Sequence, residues 1–267
     1  MLTKLLKHEF RTVWKVPAAL DAMLIVLGII AHIMIRTIPY IKDSIGFIIL
    51  LVLFAGIYYI GIIAANIVTL VFLVMRYYRN LYTSEGYLTF TLPVSTESII
   101  NAKVISGFIW ELLAVLSTLL SVIIALSSFI FMSDLPYDEL SSAADEMLQA
   151  FGAGQGLIIS VLFMGLISSL YNVLSLYFAV TLGQLWSRHK ILGAVLCYIG
   201  IYIMNLIIGQ VSLFSTGFYA AMETDLDNSL ARMYTGMFNR STLTFAVLSA
   251  VFYIACIMIT KRKINLD

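Results

Sequence analysis

The sequence predicts an all-α membrane protein with six transmembrane helices. Hydrophobic residues make up 61% of the 267 residues and charged residues only 12%, a more apolar composition than soluble domains have. The apolar residues also form six long runs, at about 18–35, 45–75, 104–132, 157–185, 191–213 and 243–260. Each run is long enough to cross the hydrocarbon core of a bilayer as a helix. Because the runs are continuously apolar, they do not fit barrel strands, which alternate. We interpret 1–267 as a single transmembrane domain.

Residues 1–16 predict a helix of a different kind. Apolar side chains recur at helical spacing on one face, and basic side chains share the opposite face. The apolar set is Leu2, Leu6, Phe10 and Val13, and the basic set is Lys4, Lys7, Arg11 and Lys15. This pattern is typical of an amphipathic elbow helix that lies in the headgroup plane. We expect Pro17 to end it and turn the chain into the first span. The alternative is a simple charged flank of that span.

The basic residues predict the orientation of the six spans. Four Lys or Arg residues, Arg36, Lys42, Arg232 and Arg240, fall on one predicted face of the membrane, and the remaining twelve of the sixteen fall on the other. The face richer in Lys and Arg is expected in the cytoplasm. The sequence therefore predicts a multi-pass protein of the plasma membrane with both termini cytoplasmic.

Two longer segments are predicted on the outer face. Residues 133–156 show apolar side chains at helical spacing among acidic ones, which predicts an outer amphipathic helix. Residues 214–242 are too polar to span the membrane and too aromatic for a free loop. We expect them to form interfacial or re-entrant helices between spans five and six.

Sequence motifs for chemistry are absent from the chain. It contains no Gly-x-x-x-x-Gly-Lys-Ser/Thr loop, no His-Glu-x-x-His pair and no Gly-x-Ser-x-Gly elbow. We therefore expect the chain itself to be no enzyme, to hold no cofactor or metal, and to hydrolyse no ATP. Its net charge of +1 gives no reason to expect a nucleic-acid partner, whereas membrane lipids are expected partners.

Two carboxylates lie just inside apolar runs. Asp21 and Glu111 are each one to two turns from the predicted cytoplasmic end of a span, where a charge is costly unless it is hydrated or paired. One interpretation is that they line an inner vestibule or pair across helices. The alternative is that they extend to the headgroups.

The connection 76–103 is the most informative part of the sequence. It is polar and aromatic, yet it carries apolar side chains with no evident burial site in so short a loop: Tyr87, Leu88, Phe90 and Leu92. Pro93 stops a helix there and fixes the return toward span three. Exposed apolar groups of this kind indicate a docking surface for a partner. The alternative is that they fold back beneath the bundle as an internal staple.

The chain resembles the permease subunits of ABC-2 type ATP-binding-cassette transporters, in particular the small permeases of Gram-positive bacteria. The resemblance lies in LLKHEFR at 5–11, in YYRNLYTSEGYLTFTLPVS at 77–95 and in Lys103 at the head of span three. It extends in outline over the whole chain, from the elbow helix through six spans. The acidic outer helix at 133–156 is a departure from that family pattern.

The resemblance implies a function, a set of partners and a coupling site. The chain would be an exporter-type permease. It would pair with a second identical or paralogous copy and with two nucleotide-binding ATPase subunits that bind ATP and Mg. Its coupling helix would comprise Glu85, Gly86, Tyr87, Leu88, Phe90, Leu92 and Pro93. The rival hypotheses are a stand-alone channel or secondary transporter, which more often shows inverted repeats or broken spans, and an intramembrane enzyme.

The charge argument generates a topology prediction. Single cysteines near Thr83 and Lys263, in a chain without Cys197 and Cys256, should react with membrane-impermeant thiol reagents only from the cytoplasmic side. Cysteines near Ser142 and Asn228 should react only from outside. The opposite labelling pattern would overturn the orientation.

Overall fold

The computed structural model describes residues 2–38, 45–91, 93–132, 141–142, 145, 155–186, 189–222 and 226–263. Regular structure in these ranges is helical. The helices are α1 (Leu2–Val13), α2 (Lys15–Arg36), α3 (Ile45–Tyr82), α4 (Ser84–Phe90), α5 (Thr96–Met132), α6 (Gln155–Gly183), α7 (Lys190–Met222) and α8 (Leu226–Lys263). The predicted outer helix at 133–156 lies outside the described residues, apart from Ser141, Ser142, Asp145 and the start of α6.

Six of the described helices are long and apolar enough to cross a membrane: α2, α3, α5, α6, α7 and α8. The prediction of an all-α protein with six such helices is therefore confirmed. Their length and composition indicate a multi-pass membrane protein.

Spans two and three extend further than the apolar runs predicted. Helix α3 has 38 residues, about 57 Å at 1.5 Å per residue, and it continues through Arg76 and Arg79 to Tyr82. Helix α5 begins at Thr96 instead of near Val104. The predicted connection 76–103 is thus shortened to 83–95. Arginine and lysine are good helix formers, so a change from apolar to charged residues marks the end of the hydrocarbon core and not the end of the helix.

The segment 214–242 also differs from expectation. Its described residues continue α7 as far as Met222 and belong to α8 from Leu226, so separate helices are not seen there. The segment has no proline, and polar residues alone do not stop a helix.

A helix, α1, occupies the position predicted for the elbow helix, with Lys4, Lys7 and Arg11 exposed. Part of its apolar face packs on protein, since Val13 is 2% exposed and lies in a cluster with Leu73 and Trp110. The break falls at Trp14, and Pro17 lies inside the first turn of α2. This corrects the predicted position of the break. A proline is tolerated there because its missing N–H would have no partner within the helix.

The helices form two compact units. The N-terminal unit contains residues 3–73 and 105–141, and the C-terminal unit contains residues 1–2, 74–104 and 142–267. In the C-terminal unit α6 packs against both α7 and α8. Helices α3 and α5 each contribute residues to both units.

A row of hydroxyl groups on α5 joins the helices of the N-terminal unit. The Ser121 hydroxyl donates to the Leu24 carbonyl oxygen on α2 over 2.7 Å and lies 2.9 Å from the Tyr58 hydroxyl on α3. The Asn66 amide donates to Thr118 over 3.0 Å. Such hydrogen bonds hold helices together in a bilayer, because the apolar lipid provides no hydrophobic driving force for helix association. Ser121 and Asn66 therefore serve helix packing within this unit.

Gly28 lets α2 approach α5 closely. A Cβ atom at this position would lie 2.7 Å from the Ser121 carbonyl oxygen, whereas one at Gly56 on α3 would meet nothing within 4 Å. Only the first glycine is required by packing.

The two glycines give a matched stability test. Gly28→Ala should destabilise the protein by about 1 to 3 kcal/mol, because the added methyl group overpacks a contact with backbone. Gly56→Ala should be neutral or slightly stabilising, since alanine favours helix. Thermal unfolding in detergent measures both. Equal melting temperatures for the two variants would contradict the close packing at Gly28.

Candidate functional site

Helix α4 is a short helix in the connection between α3 and α5. Thr83, with extended backbone angles, precedes it, and the Gly86 N–H donates to the Thr83 carbonyl oxygen over 2.8 Å. The Thr83 hydroxyl donates to the Arg79 carbonyl oxygen over 2.6 Å, which satisfies a carbonyl at the end of α3. The Ser95 hydroxyl accepts from the Ser98 N–H and so caps the start of α5.

Glu85 fixes α4 to the neighbouring helices. Its carboxylate accepts from Arg79 on α3 over 3.0 Å. With the Asn80 amide oriented to suit its neighbours, the Asn80 nitrogen donates to the other Glu85 oxygen, and the Asn80 oxygen accepts from Lys103 on α5, each over 3.0 Å. Lys103 is 5% exposed. Glu85 therefore connects α4 directly with the end of α3, and Asn80 extends that connection to the beginning of α5.

A cluster of hydroxyl groups lies beside this connection. Thr181 on α6 is 3.1 Å from the Tyr77 hydroxyl and accepts from Tyr82 over 3.1 Å. The Tyr82 hydroxyl is also 3.3 Å from Thr260 on α8. Tyr82 is the last residue of α3. The end of α3 is thus bonded to both α6 and α8.

Aromatic packing reinforces the same junction. The Tyr77 and Tyr177 rings stack with their centroids 4.0 Å apart and their planes 7° apart, and Tyr77 is 1% exposed. Leu81 and Ile100 are fully buried in the same core cluster. Tyr77 is therefore part of the interior, and the half-buried Tyr82 packs against the same cluster. Both belong to α3 and not to a loop.

Two further contacts connect α8 with the start of α5. Lys261 forms an ion pair with Glu97, and the Tyr253 hydroxyl donates to Asn101 over 2.5 Å. The ends of α3, α5, α6 and α8 consequently meet around the base of α4.

The predicted coupling residues have distinct positions. Tyr87 is 64% exposed, so it does not fold back into this unit. Gly86 is buried and Pro93 is exposed. The side chains of Leu88 and Phe90, and the whole of Leu92, lie outside the described residues.

Asp21 and Glu111 belong to the N-terminal unit. The Asp21 carboxyl group on α2 bonds to Ser117 on α5, and its Oδ1 atom has no hydrogen-bond partner among the described residues. Glu111 on α5 is 3% exposed. Glu111 is thus enclosed by protein, unlike a side chain that extends freely into the headgroups. That Asp21 and Glu111 line an inner vestibule stays a prediction.

Sequence reasoning missed Thr181 and Thr260 as partners of the α3 end. Each lies near the end of an apolar run, about a hundred residues or more from Tyr82. Threonines at span ends are common helix residues, and no local pattern distinguishes these two.

Comparisons with protein-family models, with curated proteins and with solved structures found no match to this chain. In the part of the chain that the structure describes, no three His, Cys, Asp or Glu side chains lie together as a metal site would require.

The arrangement around Glu85 can be tested by hydrogen exchange. Glu85→Ala removes the acceptor for both Arg79 and Asn80, so amides in α4 should exchange at least about fivefold faster, the ratio expected for the loss of about 1 kcal/mol of local stability. Glu97→Ala, which removes the ion pair with Lys261, should leave α4 exchange unchanged. Unaltered exchange in the Glu85 variant would show that Glu85 does not hold α4 in place.

Proposed function

We propose that this chain is the permease subunit of an ATP-driven ABC-2 type transporter, of the exporter kind, that works with a separate nucleotide-binding ATPase. One observation carries the proposal. Helix α4 presents an exposed aromatic residue, Tyr87, while Glu85 in the same helix is bonded to Arg79 and Asn80 at the end of α3. Asn80 in turn accepts from Lys103 on α5.

Exposure combined with anchoring is what a docking helix requires. An exposed aromatic side chain in a polar connection supplies the kind of anchor that fills a pocket on a partner. A loop without such contacts would have to become ordered when it binds, and that loss of conformational entropy would weaken its affinity for the partner. The Glu85 contacts with Arg79 and Asn80 reduce that cost, because they fix α4 before a partner binds.

The contacts at the base of α4 support a mechanical role. A displacement of α4 acts through Glu85 on α3, and through Asn80 and Lys103 on α5. The Tyr82 hydroxyl extends the same connection to Thr181 on α6 and Thr260 on α8. Motion of a docked ATPase would thereby reach four spans of the C-terminal unit at their ends.

In the proposed assembly two permease copies, identical or paralogous, bind two ATPase subunits, which hold ATP and Mg. Both termini and α4 face the cytoplasm of a bacterial cell, in agreement with the distribution of Lys and Arg. The two permease copies alternate access to a pathway for the substrate, and Asp21 and Glu111 are proposed to face its inner vestibule.

The docking role predicts the behaviour of a double variant. Tyr87→Ala with Leu88→Ala should reduce affinity for the ATPase by about thirtyfold, which corresponds to about 2 kcal/mol for a truncated interface anchor. The tagged full-length chain would be purified from its own cells. Mass spectrometry would then quantify co-purified polypeptides with a phosphate-binding loop, and ATP hydrolysis would be measured on the same sample.

Tyr59→Ala is the matched control. Tyr59 on α3 is 66% exposed, close to the 64% of Tyr87, but it lies within a span where a soluble ATPase cannot reach it. The control should retain the ATPase. Failure of the parent chain to retain any nucleotide-binding ATPase, or full retention by the double variant, would refute the proposal.

A further inference from the structure

The C-terminal unit contains a cavity of about 480 Å³ between the end of α3, the end of α6 and the start of α7. Its walls are apolar, formed by side chains such as Val74, Val180 and Ala194. Tyr78 and Tyr198 also line it. Neither aspartate nor glutamate is among its lining residues.

The cavity opens on the outer surface of the helices. Met75, Ile191 and Val195 line it, and each is at least half exposed. They belong to spanning helices, so their exposed sides face the membrane. From Lys190 to Tyr198 the groove runs about 12 Å along α7. This surface is therefore an apolar groove open to lipid.

Two cations lie at one end of the groove. Lys190 is the first residue of α7 and has no partner among the described residues, and Arg79 lies near the end of α3. One guanidinium nitrogen of Arg79 donates to Glu85, so the other N–H donors of the guanidinium remain available to a ligand. Trp186, 54% exposed, lies against Gly193 on the first turn of α7. Tryptophan and basic residues together mark the headgroup level of a bilayer.

We propose that this groove binds an anionic glycerophospholipid, with one acyl chain along the apolar wall and the headgroup phosphate on Lys190 and Arg79. A groove in a membrane-facing surface is filled by lipid chains unless another helix covers it. Basic pockets between spanning helices attract anionic headgroups. A zwitterionic lipid carries its own cation, which would lie beside Lys190 and Arg79 with no acidic side chain lining the groove to receive it. The proposal rests on the spans and not on the ATPase.

The test measures lipid binding to the purified full-length chain by native mass spectrometry. Phosphatidylglycerol and phosphatidylcholine with identical acyl chains are titrated separately. The parent chain should bind phosphatidylglycerol more tightly. Lys190→Gln should weaken phosphatidylglycerol binding by about fivefold, the effect of one basic charge near an anionic lipid surface. It should weaken phosphatidylcholine binding less, because the choline cation offsets the charge of the phosphate. Lys15→Gln, which removes an exposed lysine at the start of α2, should change neither.

A second pair of variants tests the groove itself. Val195→Trp fills it and should reduce binding of both lipids, whereas Ile203→Trp, at an equally exposed position farther along α7, should not. Equal affinity of the parent for the two lipids, or unchanged phosphatidylglycerol binding in Lys190→Gln, would overturn the proposal. So would a Val195→Trp chain that loses self-association and keeps its lipid, since a second copy would then be the occupant.

Discussion

Hydrogen bonds between polar side chains on otherwise apolar helices are the constraint on which the structure depends. Lipid solvates leucine as well as another helix does, so apolar surface alone does not select helix partners in a membrane. Ser121 on α5 meets Leu24 on α2 and Tyr58 on α3, and Thr181 on α6 meets two tyrosines of α3. These few polar contacts therefore decide which helices of each unit lie side by side.

At the end of α3, different side-chain groups supply the stability of the helix packing and its specificity. A hydrogen bond between spanning helices contributes about 0.6 kcal/mol on average, so the bonds of Tyr82 add little stability individually. Stacked aromatic rings such as Tyr77 on Tyr177 contribute about 0.5 to 1.5 kcal/mol beyond their burial. The hydroxyl groups fix the register of α3, α6 and α8, while close packing supplies more of the stability. A connection that is both rigid and in fixed register suits the transmission of force proposed for α4.

The differences between expectation and structure share one physical cause. Apolar runs report the thickness of the hydrocarbon core, but a helix ends only where its backbone is interrupted or capped. Arg76 and Arg79 leave the apolar run and stay in α3, and residues 214–222 continue α7. Thr83 ends α3 because its backbone is extended there. The composition of a segment thus predicted its environment better than its helix boundaries.

Sequence alone determined the all-α class, the six spans, the amphipathic face of α1 and the connection that contains Glu85 and Tyr87. Those features follow from local composition and helical period, which each segment carries by itself. Only the tertiary structure decided that Glu85 bonds to Asn80 and Arg79, that Thr181 receives Tyr82, and that Lys190 and Arg79 meet at one groove. The last two contacts join residues about a hundred positions apart, and the Glu85 bonds depend on how the chain turns at Thr83 between α3 and α4. Many polar residues at span ends would have satisfied the local pattern equally well.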